Sequence, residues 1–393
     1  MSMDKKLWFD GPMQVALDTS SIRTPQLSGI SQYTLQLLKA LGSEQVQPVM
    51  KISRFRNFRV AANILERAPR FYHPKTRLGL GRFDVFHGPD FRVPEVRSIA
   101  KIVTVHDLAE FESDFQDPEF ARIAQSNMRH LFAASQPDMI IAVSDFTKQK
   151  IESLFPMTKG RVVRIYHGAD HLAKPVTGFS SKSQSPQWRS LLNSKFVLFV
   201  GTIEKRKNIS RLYEAFIHSA LPALGYRLVL AGANGFGGQE IVRSINHPSV
   251  EILGYTEPGA LAELYTHASF FCFPSLYEGF GFPVLEAMGF GLPIVTSQNS
   301  ACSEICGRTA MLVDPLSVSS LRQAMETLAA RTDLRQSLRV FGLHRFRQFT
   351  WAKCAEETQA AYAETLLRFK YDIGARRHFL WTPQEVAAWS MQS

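Results

Sequence analysis

Two glutamates, Glu278 and Glu286, are the residues of this sequence best placed by type and spacing to do chemistry. They lie eight positions apart in PSLYEGFGFPVLEAM (274–288), one before and one after a glycine-rich turn. A carboxylate accepts two hydrogen bonds at once, and it therefore suits the vicinal hydroxyls of a ribose or a sugar ring. The alternative is that both are solvated acids near a helix start, where acids are common.

The backbone around these glutamates is predicted to form a strand, a tight turn and a helix. The apolar run SFFCFPS (269–275) indicates a buried strand, and Pro283 suits the first position of a helix. Gly279 and Gly281 allow a ligand to approach the turn closely. Backbone amides from about Gly281 to Val284 would be free to bind phosphate. Amides for phosphate and carboxylates for hydroxyls together favour a nucleotide-sugar ligand.

Two cations lie at a second predicted strand-to-helix junction. Arg206 and Lys207 occur in GTIEKRKNI (201–209), directly after the predicted strand 195–201. Adjacent cations at such a junction suit a diphosphate, and a solvated basic loop is the alternative.

Two further candidates lie in the first half of the chain. Gly29 begins a predicted helix, where the backbone is open to close approach, and His106 ends the predicted strand in TVHDL. A histidine at a strand end that faces a cleft is a candidate catalytic group, and a structural histidine is the alternative. His87 and His167 also lie near strand ends and rank below His106.

The composition is that of a globular protein with two cores. The chain has 393 residues, of which 45% are hydrophobic and 20% charged, and no apolar run approaches the ~18 residues of a membrane span. Asp4 and Asp10 interrupt any signal-like stretch, so we expect a cytoplasmic protein. Cys302 and Cys306 have no second pair that would complete a zinc site, so free thiols are expected.

The net charge of +10 is concentrated in residues 51–82. Against one acid, Glu66, this segment holds the basic residues Lys51, Arg54, Arg56, Arg59, Arg67, Arg70, Lys75, Arg77 and Arg82. Aromatic and apolar side chains are interleaved, which favours docking to an anionic membrane surface or lipid phosphates, at roughly 1 kcal/mol per charge. A solvated basic face and a nucleic-acid site are the alternatives.

Predicted strands and helices alternate along two successive stretches of the chain. In the first stretch, strands are predicted at 13–18, 46–53, 84–88, 101–107, 138–144 and 161–168, with helices at 29–41, about 118–134 and 145–155. In the second, strands are predicted at 195–202, 226–233, 250–256, 269–275, 292–298 and 310–315, before a helical end. Such alternation predicts parallel sheets with helices on both faces.

The predicted fold class is therefore α/β, with two doubly wound Rossmann-like domains and an interdomain cleft. The serine-rich stretch 177–194 is the predicted linker. We assign residues 1–180 to the first domain, 181–365 to the second, and 366–393 to a tail with a capped helix start near Thr382. Ligands are expected where strand carboxyl ends face the cleft.

Seven strings of the sequence, taken in order, resemble one family of enzymes. They are GISQYT, TVHDL, IIAVSDFT, GTIEKRKN, GYTE, PSLYEGFGFPVLEAM and LPIVTS. Over about residues 13 to 365, the chain resembles the retaining GT-B glycosyltransferases of family 4, and is most similar to their bacterial mannosyltransferase-like branch. The paired glutamates are a weak motif alone and a strong one in this strand–turn–helix context.

The resemblance implies a role for each candidate side chain. Glu286 would hold the ribose hydroxyls, and Glu278 would contact the donor sugar near O3 or O4. Arg206 and Lys207 would grip the diphosphate in the second, donor-binding domain. His106 would lie near the reacting carbon, on the side of the first, acceptor-binding domain.

Further donor contacts are implied by the same resemblance. They involve Gly29 against the diphosphate, backbone amides near the sugar and phosphate, and a cradle for the base; the residues are Gly29, Gly232, Tyr255, Phe280, Gly281 and Phe282. One departure is Ser31, which stands where relatives often have a glycine in the first loop.

The chemistry expected from these residues is stabilisation of a departing nucleoside diphosphate. Arg206, Lys207 and a helix N-terminus would stabilise the developing charge, and loss of one such donor typically costs ~10²–10³ in rate. No Asp-x-Asp pair occurs, which favours a mechanism without metal or other cofactor. No carboxylate stands out as a nucleophile for a two-step route, so the front-face mechanism proposed for the family is expected.

The expected function is transfer of mannose from GDP-mannose, with retention, to a growing glycan or polyprenyl-diphosphate-linked acceptor in surface polysaccharide or lipopolysaccharide synthesis. The protein would be peripheral at the inner face of the cytoplasmic membrane, docked through residues 51–82, and would not bind nucleic acid. Alternatives are a UDP- or dTDP-sugar donor, a GT-B epimerase or phosphorylase, and a non-catalytic membrane scaffold. A dinucleotide oxidoreductase is disfavoured because GFGG (235–238) and GLG (79–81) do not complete G-x-G-x-x-G.

Overall fold

The computed structural model describes residues 13–24, 28–42, 44–90, 92–112, 115, 117–133, 137–171 and 185–375. Residues 177–184 of the predicted linker, the predicted boundary at 180 and the helix start near Thr382 lie outside these residues. The remainder of that linker prediction was wrong, because residues Pro186–Leu192 form a helix whose Trp188 and Leu191 are buried in the core of the second domain.

The first domain is built on a seven-stranded sheet whose neighbouring strands are all parallel. Its strands are β1 (Val15–Asp18), β2 (Val46–Lys51), β3 (Arg70–Tyr72), β4 (Val85–Gly88), β5 (Ala100–Val105), β6 (Met139–Ala142) and β7 (Val162–Arg164). The strand order is β3-β2-β1-β4-β5-β6-β7. The order reverses between β1 and β4, so a crevice opens at the carboxyl ends of these two strands.

Four α-helices are described between these strands, and two of them begin at a serine cap. The four helices are α1 (Gly29–Leu41), α2 (Phe58–Leu65), α3 (Pro118–Ala133) and α4 (Asp145–Leu154). The Ser28 and Ser144 hydroxyls cap α1 and α4 by accepting the amides of Ser31 and Thr147. The helix predicted at 29–41 is confirmed with these bounds. Neither α2 nor β3 was predicted, because both lie in the basic segment 51–82.

The second domain repeats the plan with a six-stranded parallel sheet. Its strands are β8 (Lys195–Val200), β9 (Tyr226–Ala231), β10 (Val250–Gly254), β11 (Phe270–Phe273), β12 (Ile294–Ser297) and β13 (Met311–Val313). The order is β10-β9-β8-β11-β12-β13, so here the reversal lies between β8 and β11. Apart from Lys195, both central strands are buried, as their apolar sequences predict.

Nine helices are described in this half of the chain. They are α5 (Pro186–Leu192), α6 (Ile209–Ile217), α7 (Gly238–Ser244), α8 (Pro258–His267), α9 (Phe282–Gly289), α10 (Ala301–Cys306), α11 (Val318–Ala330), α12 (Thr332–Phe346) and α13 (Trp351–Ala375). The predicted α/β class with two doubly wound domains is confirmed by both sheets.

The last helix returns to the first domain. Trp351, Cys354 and Tyr362 of α13 lie in the hydrophobic core that α1 covers, and the Tyr362 hydroxyl is 2.8 Å from Nδ1 of His87. The sequence prediction instead placed residues up to 365 with the second domain. An amphipathic pattern shows that a helix covers a core, but not which of two cores it covers.

The two domains are joined by hydrogen bonds near α4. The Gly279 carbonyl accepts from the hydroxyls of Ser144 at 2.6 Å and Thr147 at 3.0 Å. The Glu304 carboxylate accepts from the amides of Asp145 at 2.7 Å and Phe146 at 2.9 Å, and so caps α4 from the opposite domain. Within the described ranges, no helix is long and apolar enough to cross a membrane.

Candidate active site

The turn between the two glutamates requires its glycines. Gly281 has φ +100°, and a Cβ there would lie 2.7 Å from Sγ of Cys302. A Cβ on Gly279 would lie 1.8 Å from the carbonyl oxygen of His106. The turn therefore presses against the end of β5 in the first domain, and the absence of side chains permits this contact.

Helix α9 begins at Phe282, one residue before the predicted start. The amides of Val284 and Leu285 donate to the Gly281 carbonyl at 3.1 and 3.3 Å, so the prediction of a free amide at Val284 was wrong. The turn closes on itself at this position. Within the described part of the chain, no group accepts from the amides of Phe280, Gly281 and Phe282. Those amides form a donor site at the helix start.

Three predicted residues from two loops meet at Glu278. Lys207 Nζ lies 2.5 Å from Glu278 Oε1, and Arg206 Nη1 lies 3.1 Å from Oε2. Ser275 Oγ donates to Oε1 at 2.6 Å. Glu278 is only 7% exposed, so the interpretation of this residue as a solvated acid is wrong.

The charges around Glu278 decide its ionisation. Burial favours the neutral acid, but Lys207 and Arg206, with the hydrogen bonds from Lys207 and Ser275, outweigh it and lower the pKa of Glu278 below its usual value. Arg206 has a second acid partner, Glu204, at 2.8 Å. The result is a buried carboxylate held between two cations.

The loop that carries the cations is held by Asn208. This residue has φ +60°, which asparagine tolerates better than most residues. Its Nδ2 donates to the carbonyls of Pro274 at 3.1 Å and Pro315 at 2.6 Å. The amide of Leu276 also donates to the Arg206 carbonyl at 2.8 Å. Sequence reasoning missed Asn208, although an asparagine between a basic turn and a helix is a recognisable signal.

Glu286 lies on α9 and makes a separate contact. Its Oε2 accepts from the hydroxyl of Tyr265 at 2.8 Å. The residue reaches solvent in part, but burial of the carboxyl raises its pKa to about 7, which the Tyr265 hydrogen bond opposes. The two glutamates therefore differ, since Glu278 is compensated by cations and Glu286 is not. Tyr265 was not predicted.

His106 lies at the end of β5 with a defined tautomer. Its Nε2 is 2.7 Å from the Pro89 carbonyl oxygen, which can only accept. Nε2 therefore carries the proton, and Nδ1 is left with a lone pair. Burial lowers the pKa of His106, so the ring is neutral. Its centroid lies 4.9 Å from that of Tyr33, edge to face.

His167 connects His106 to the start of α9, although the sequence ranked it lower. Its ring stacks on His106 at 5.3 Å between centroids and on Phe282 at 5.1 Å, with an interplanar angle of 3° to Phe282. Nδ1 is buried and has no hydrogen-bond partner within the described residues. Its ring thus packs between His106, at the end of β5, and α9. By contrast, both ring nitrogens of His87 are 2.8 Å from hydroxyls, as in a structural histidine.

Gly29 lies at the exposed start of α1. A Cβ at this position would meet nothing within 4 Å, so packing inside the protein does not require this glycine. The neighbouring departure, Ser31, is buried, and its hydroxyl donates to the Ser21 carbonyl at 2.9 Å. The hydroxyl of Ser31 therefore supports the loop from inside.

The residues predicted for the base and the sugar fall into different environments. A Cβ on Gly232 would lie 1.9 Å from the Gly201 carbonyl oxygen, so contact between neighbouring strands already demands glycine. Tyr255 is 58% exposed at the end of β10. The Phe280 side chain is buried, with its centroid 4.6 Å from that of His167, which leaves only its backbone for a ligand.

All four cysteines are free and buried, which confirms the prediction of free thiols. In the part of the chain that the structure describes, no group of three or more His, Cys, Asp or Glu side chains is arranged to hold a metal ion.

Two family descriptions match the two domains. Residues 27–171 match "Glycosyltransferase Family 4", and residues 194–331 match "Glycosyl transferases group 1". The first match covers Gly29 and His106, and the second covers both glutamates with Arg206 and Lys207.

Relatives extend the match along the chain. The chain is 27% identical over 389 residues to an Escherichia coli O-antigen chain mannosyltransferase B, covering 89% of this chain and 99% of the relative. It is 26% identical to an Escherichia coli serotype-specific mannosyltransferase WbdA over 67% of this chain, and spans about a third (35%) of that relative's length.

Solved structures share the two-domain architecture. Sucrose-phosphate synthase from Thermosynechococcus elongatus superposes with a TM-score of 0.68 at 18% identity, covering 90% of this chain and 99% of the other. Anabaena Alr3699/HepE in complex with UDP gives a TM-score of 0.67 at 16% identity, covering 90% and 100%. These structures share the GT-B fold. The family matches to both domains show that the chain belongs to the glycosyltransferases of family 4 and is a glycosyltransferase.

Proposed function

We propose that this glycosyltransferase moves mannose from GDP-mannose, with retention of configuration and without a metal ion, to a glycan on a lipid-linked acceptor. The mannosyltransferase relatives support mannose as the sugar and O-antigen synthesis as the pathway. The observation that carries the proposal is the meeting of Arg206 and Lys207 with Glu278 beside the unpaired amides of α9.

The role proposed for the cations follows from their charge and position. A departing GDP gains negative charge on its terminal phosphate, and fixed donors aimed at that charge lower the barrier. Arg206 and Lys207 are held by Glu278 within 3.1 Å, so they need little reorganisation when a diphosphate arrives. The amides of Phe280, Gly281 and Phe282 offer further donors at the start of α9. The departing phosphate then accepts the proton of the acceptor hydroxyl.

The two carboxylates have separate roles in the proposal. Glu286 accepts hydrogen bonds from the ribose hydroxyls, since among the described residues only Tyr265 donates to its carboxylate. Glu278 contacts a hydroxyl of the donor sugar and holds the cations in place. His106 lies across the cleft with Nδ1 free to accept, and it contacts the sugar near the reacting carbon. Tyr255 stacks on the base.

The basic segment 51–82 supplies the proposed contact with the cytoplasmic membrane face. Phe55 and Leu78 are each 65% exposed there, and Arg56 and Arg59 are exposed beside them. Phe55 packs against Phe58 and Phe71, with centroids 6.4 and 5.4 Å away, so the apolar surface has a fixed base. Exposed aromatic and basic side chains together suit an anionic bilayer.

Donor binding tests the proposal directly. The melting temperature of the full chain is measured with GDP, UDP, dTDP and ADP and with their sugars, with and without EDTA. A ligand at 100 times its dissociation constant adds about 2.7 kcal/mol to the free energy of unfolding, which shifts the melting temperature visibly. We expect stabilisation by GDP and GDP-mannose that survives EDTA and is lost in Glu286→Gln.

Glu214→Gln is the matched control, because Glu214 is an exposed glutamate of α6 in the same domain. The control variant should respond to GDP as the wild type does. Stabilisation by UDP-sugars alone would replace the proposed donor, and loss of binding in EDTA would refute metal independence. The anomeric configuration of the product, read by NMR, decides between retention and inversion.

A further inference from the structure

A cavity of about 360 Å³ lies in the first domain over the carboxyl ends of β1, β2 and β3. Its lining comprises Asp18, Ser20, Lys51, Ser53, Arg54, Tyr72, Pro74, Arg92, Val93, Glu95, Asn127, His130 and Leu131. None of the predicted donor-binding residues is among them. Asp18, Lys51 and Tyr72 end their strands, and Arg92 follows β4, so the cavity adjoins the crevice at the strand-order reversal. Its volume is typical of small-molecule sites, ~300–1,000 Å³.

Basic side chains outnumber acidic ones in the lining of the cavity, with Lys51, Arg54 and Arg92 against Asp18 and Glu95. Lys51 and Arg54 form no ion pair with any residue that the structure describes, while Arg92 lies 3.3 Å from Asp90. Arg23 lies close by: burial, and then the charges of Arg54 and Arg92, lower its pKa. Guanidinium groups that repel one another in this way are stabilised when an anion binds between them.

The acid at the floor of the cavity is already occupied by protein donors. Asp18 is 2% exposed, and its Oδ1 accepts from the Ser20 amide at 2.9 Å and the Ser20 hydroxyl at 2.5 Å. Its Oδ2 accepts from the Tyr72 hydroxyl at 3.0 Å. Because Asp18 is engaged from both sides, Lys51 and Arg54 remain available to a ligand.

Apolar side chains continue outward from two walls of the cavity. In the turn Ile52–Asn57, Ser53 and Arg54 line the cavity, whereas Ile52 is 45% and Phe55 is 65% exposed. The second wall is α3, which contributes Asn127, His130 and Leu131. Its exposed apolar residues Phe120 and Ile123 precede Asn127 by seven and four positions, and so lie on the same stripe of the helix.

We propose that this cavity binds the phosphate or diphosphate of the lipid-linked acceptor, and that the lipid chain leaves it along Ile52, Phe55 and the Ile123–Phe120 stripe of α3. The inference rests on the proposed function, since it places the acceptor of that reaction. A phosphate ester suits arginine and lysine donors, and an attached lipid suits apolar residues at the rim. A neutral glycan would bring no counter-charge to Lys51 and Arg54.

The test measures dissociation constants of the full chain by calorimetry. The probes are farnesyl diphosphate, inorganic diphosphate and farnesol, each titrated with and without GDP so that binding at the donor site is competed away. The cavity variant is the double substitution Lys51→Gln with Arg54→Gln. The matched control is Lys39→Gln with Arg97→Gln, which removes the same charge from exposed positions of the first domain that lie outside segment 51–82 and do not line the cavity.

We expect farnesyl diphosphate to bind the wild type with GDP present. Its dissociation constant should be at least tenfold higher for the cavity variant and within twofold of the wild-type value for the control. Inorganic diphosphate should bind more weakly and lose affinity in the same variant, and farnesol should not bind. Equal binding of farnesyl diphosphate to wild type and cavity variant overturns the proposal, as does an equal loss in the control. If inorganic diphosphate binds as tightly as farnesyl diphosphate, the lipid path is refuted.

GDP-mannose binding to the same variants separates this inference from the proposed function. The cavity variant should keep wild-type affinity for GDP-mannose, because Lys51 and Arg54 lie outside the donor site. A wild type that binds farnesyl diphosphate but no nucleotide sugar would contradict the proposed function and leave the cavity as a lipid-phosphate site. Circular dichroism confirms that the variants fold, which the partial exposure of both side chains favours.

Discussion

The pair formed by Lys207 and Glu278 predicts a measurable coupling energy. Replacing Glu278 by glutamine keeps the size of the side chain but leaves Lys207 buried beside a neutral group. Arg206 keeps Glu204 at 2.8 Å, whereas Lys207 is 7% exposed and its ion pair is with Glu278. Breaking a buried ion pair by removing one partner typically costs ~3–5 kcal/mol. We therefore expect Glu278→Gln to lower the free energy of unfolding by an amount in this range.

Replacing Lys207 should lower the free energy of unfolding by less than replacing Glu278 does. In Lys207→Met, Glu278 still accepts from Arg206 at 3.1 Å and from Ser275 at 2.6 Å, so we expect a loss of ~1–3 kcal/mol. The double variant leaves neither charge unpaired. Its loss should therefore fall short of the sum of the single losses by ~1–3 kcal/mol.

Urea unfolding of the four proteins near pH 7.5 gives the free energies by linear extrapolation. The matched control is the partly exposed pair Arg227–Glu251, at 2.9 Å between β9 and β10, for which a surface coupling of ~0–1 kcal/mol is expected. If the losses of unfolding free energy in the two single variants add up to that of the double variant, the two side chains are not a buried pair. A loss below about 1 kcal/mol for Glu278→Gln would refute the reasoning in the same way.

Three further predictions follow from single residues. Burial raises the pKa of Glu286 to about 7, so the folded protein favours the neutral carboxyl. The stability that this group contributes is fully present below its pKa in the unfolded chain, ~4.3, and is lost as pH rises through about 7. Between these pH values, the free energy of unfolding of Glu286→Gln in urea should therefore rise relative to that of wild type by at most ~3 kcal/mol. Parallel curves of unfolding free energy against pH for the two proteins would contradict the raised pKa. Gly29→Ala should leave the melting temperature nearly unchanged while weakening GDP-mannose binding. Gly279→Ala should lower the melting temperature, because its Cβ would lie 1.8 Å from the His106 carbonyl oxygen. A larger drop in melting temperature for Gly29→Ala than for Gly279→Ala would contradict the packing. His106→Ala should lower kcat by ~10²-fold or more with little change in donor affinity, and an unchanged kcat would remove His106 from the reaction.

Much of the fold was predictable because buried parallel strands are written as short apolar runs. The strands around Leu198 and Phe271 and the helix Gly29–Leu41 followed from local pattern and capping. The packing of α13 did not, because one amphipathic face fits either core. Strand β3 was missed because its three residues, RFY, lie in a basic segment and lack the apolar run that marked the equally short β7 and β13.

The candidate site was predictable in its members but not in its contacts. Arg206, Lys207 and Glu278 stood out by type and position, yet the pairing of Lys207 with Glu278 spans 71 residues and has no local signature. The same holds for Tyr265 with Glu286, and for the stacking of His167 between His106 and Phe282. Such contacts arise when separate strands bring their carboxyl ends together.

Sheet topology explains why both charged centres lie where they do. In the second sheet the order reverses between β8 and β11; Arg206 and Lys207 follow β8, and Glu278 follows β11. In the first sheet it reverses between β1 and β4; Asp18 ends β1, and Arg92 follows β4. At each reversal the connecting chains leave to opposite sides, so the strand ends are uncovered and the charged side chains after them meet in one crevice. The charged cluster around Glu278 and the first-domain cavity are thus two results of one architectural rule. Because they belong to separate sheets, substitutions in one centre should change affinity for its own ligand and leave the other unchanged.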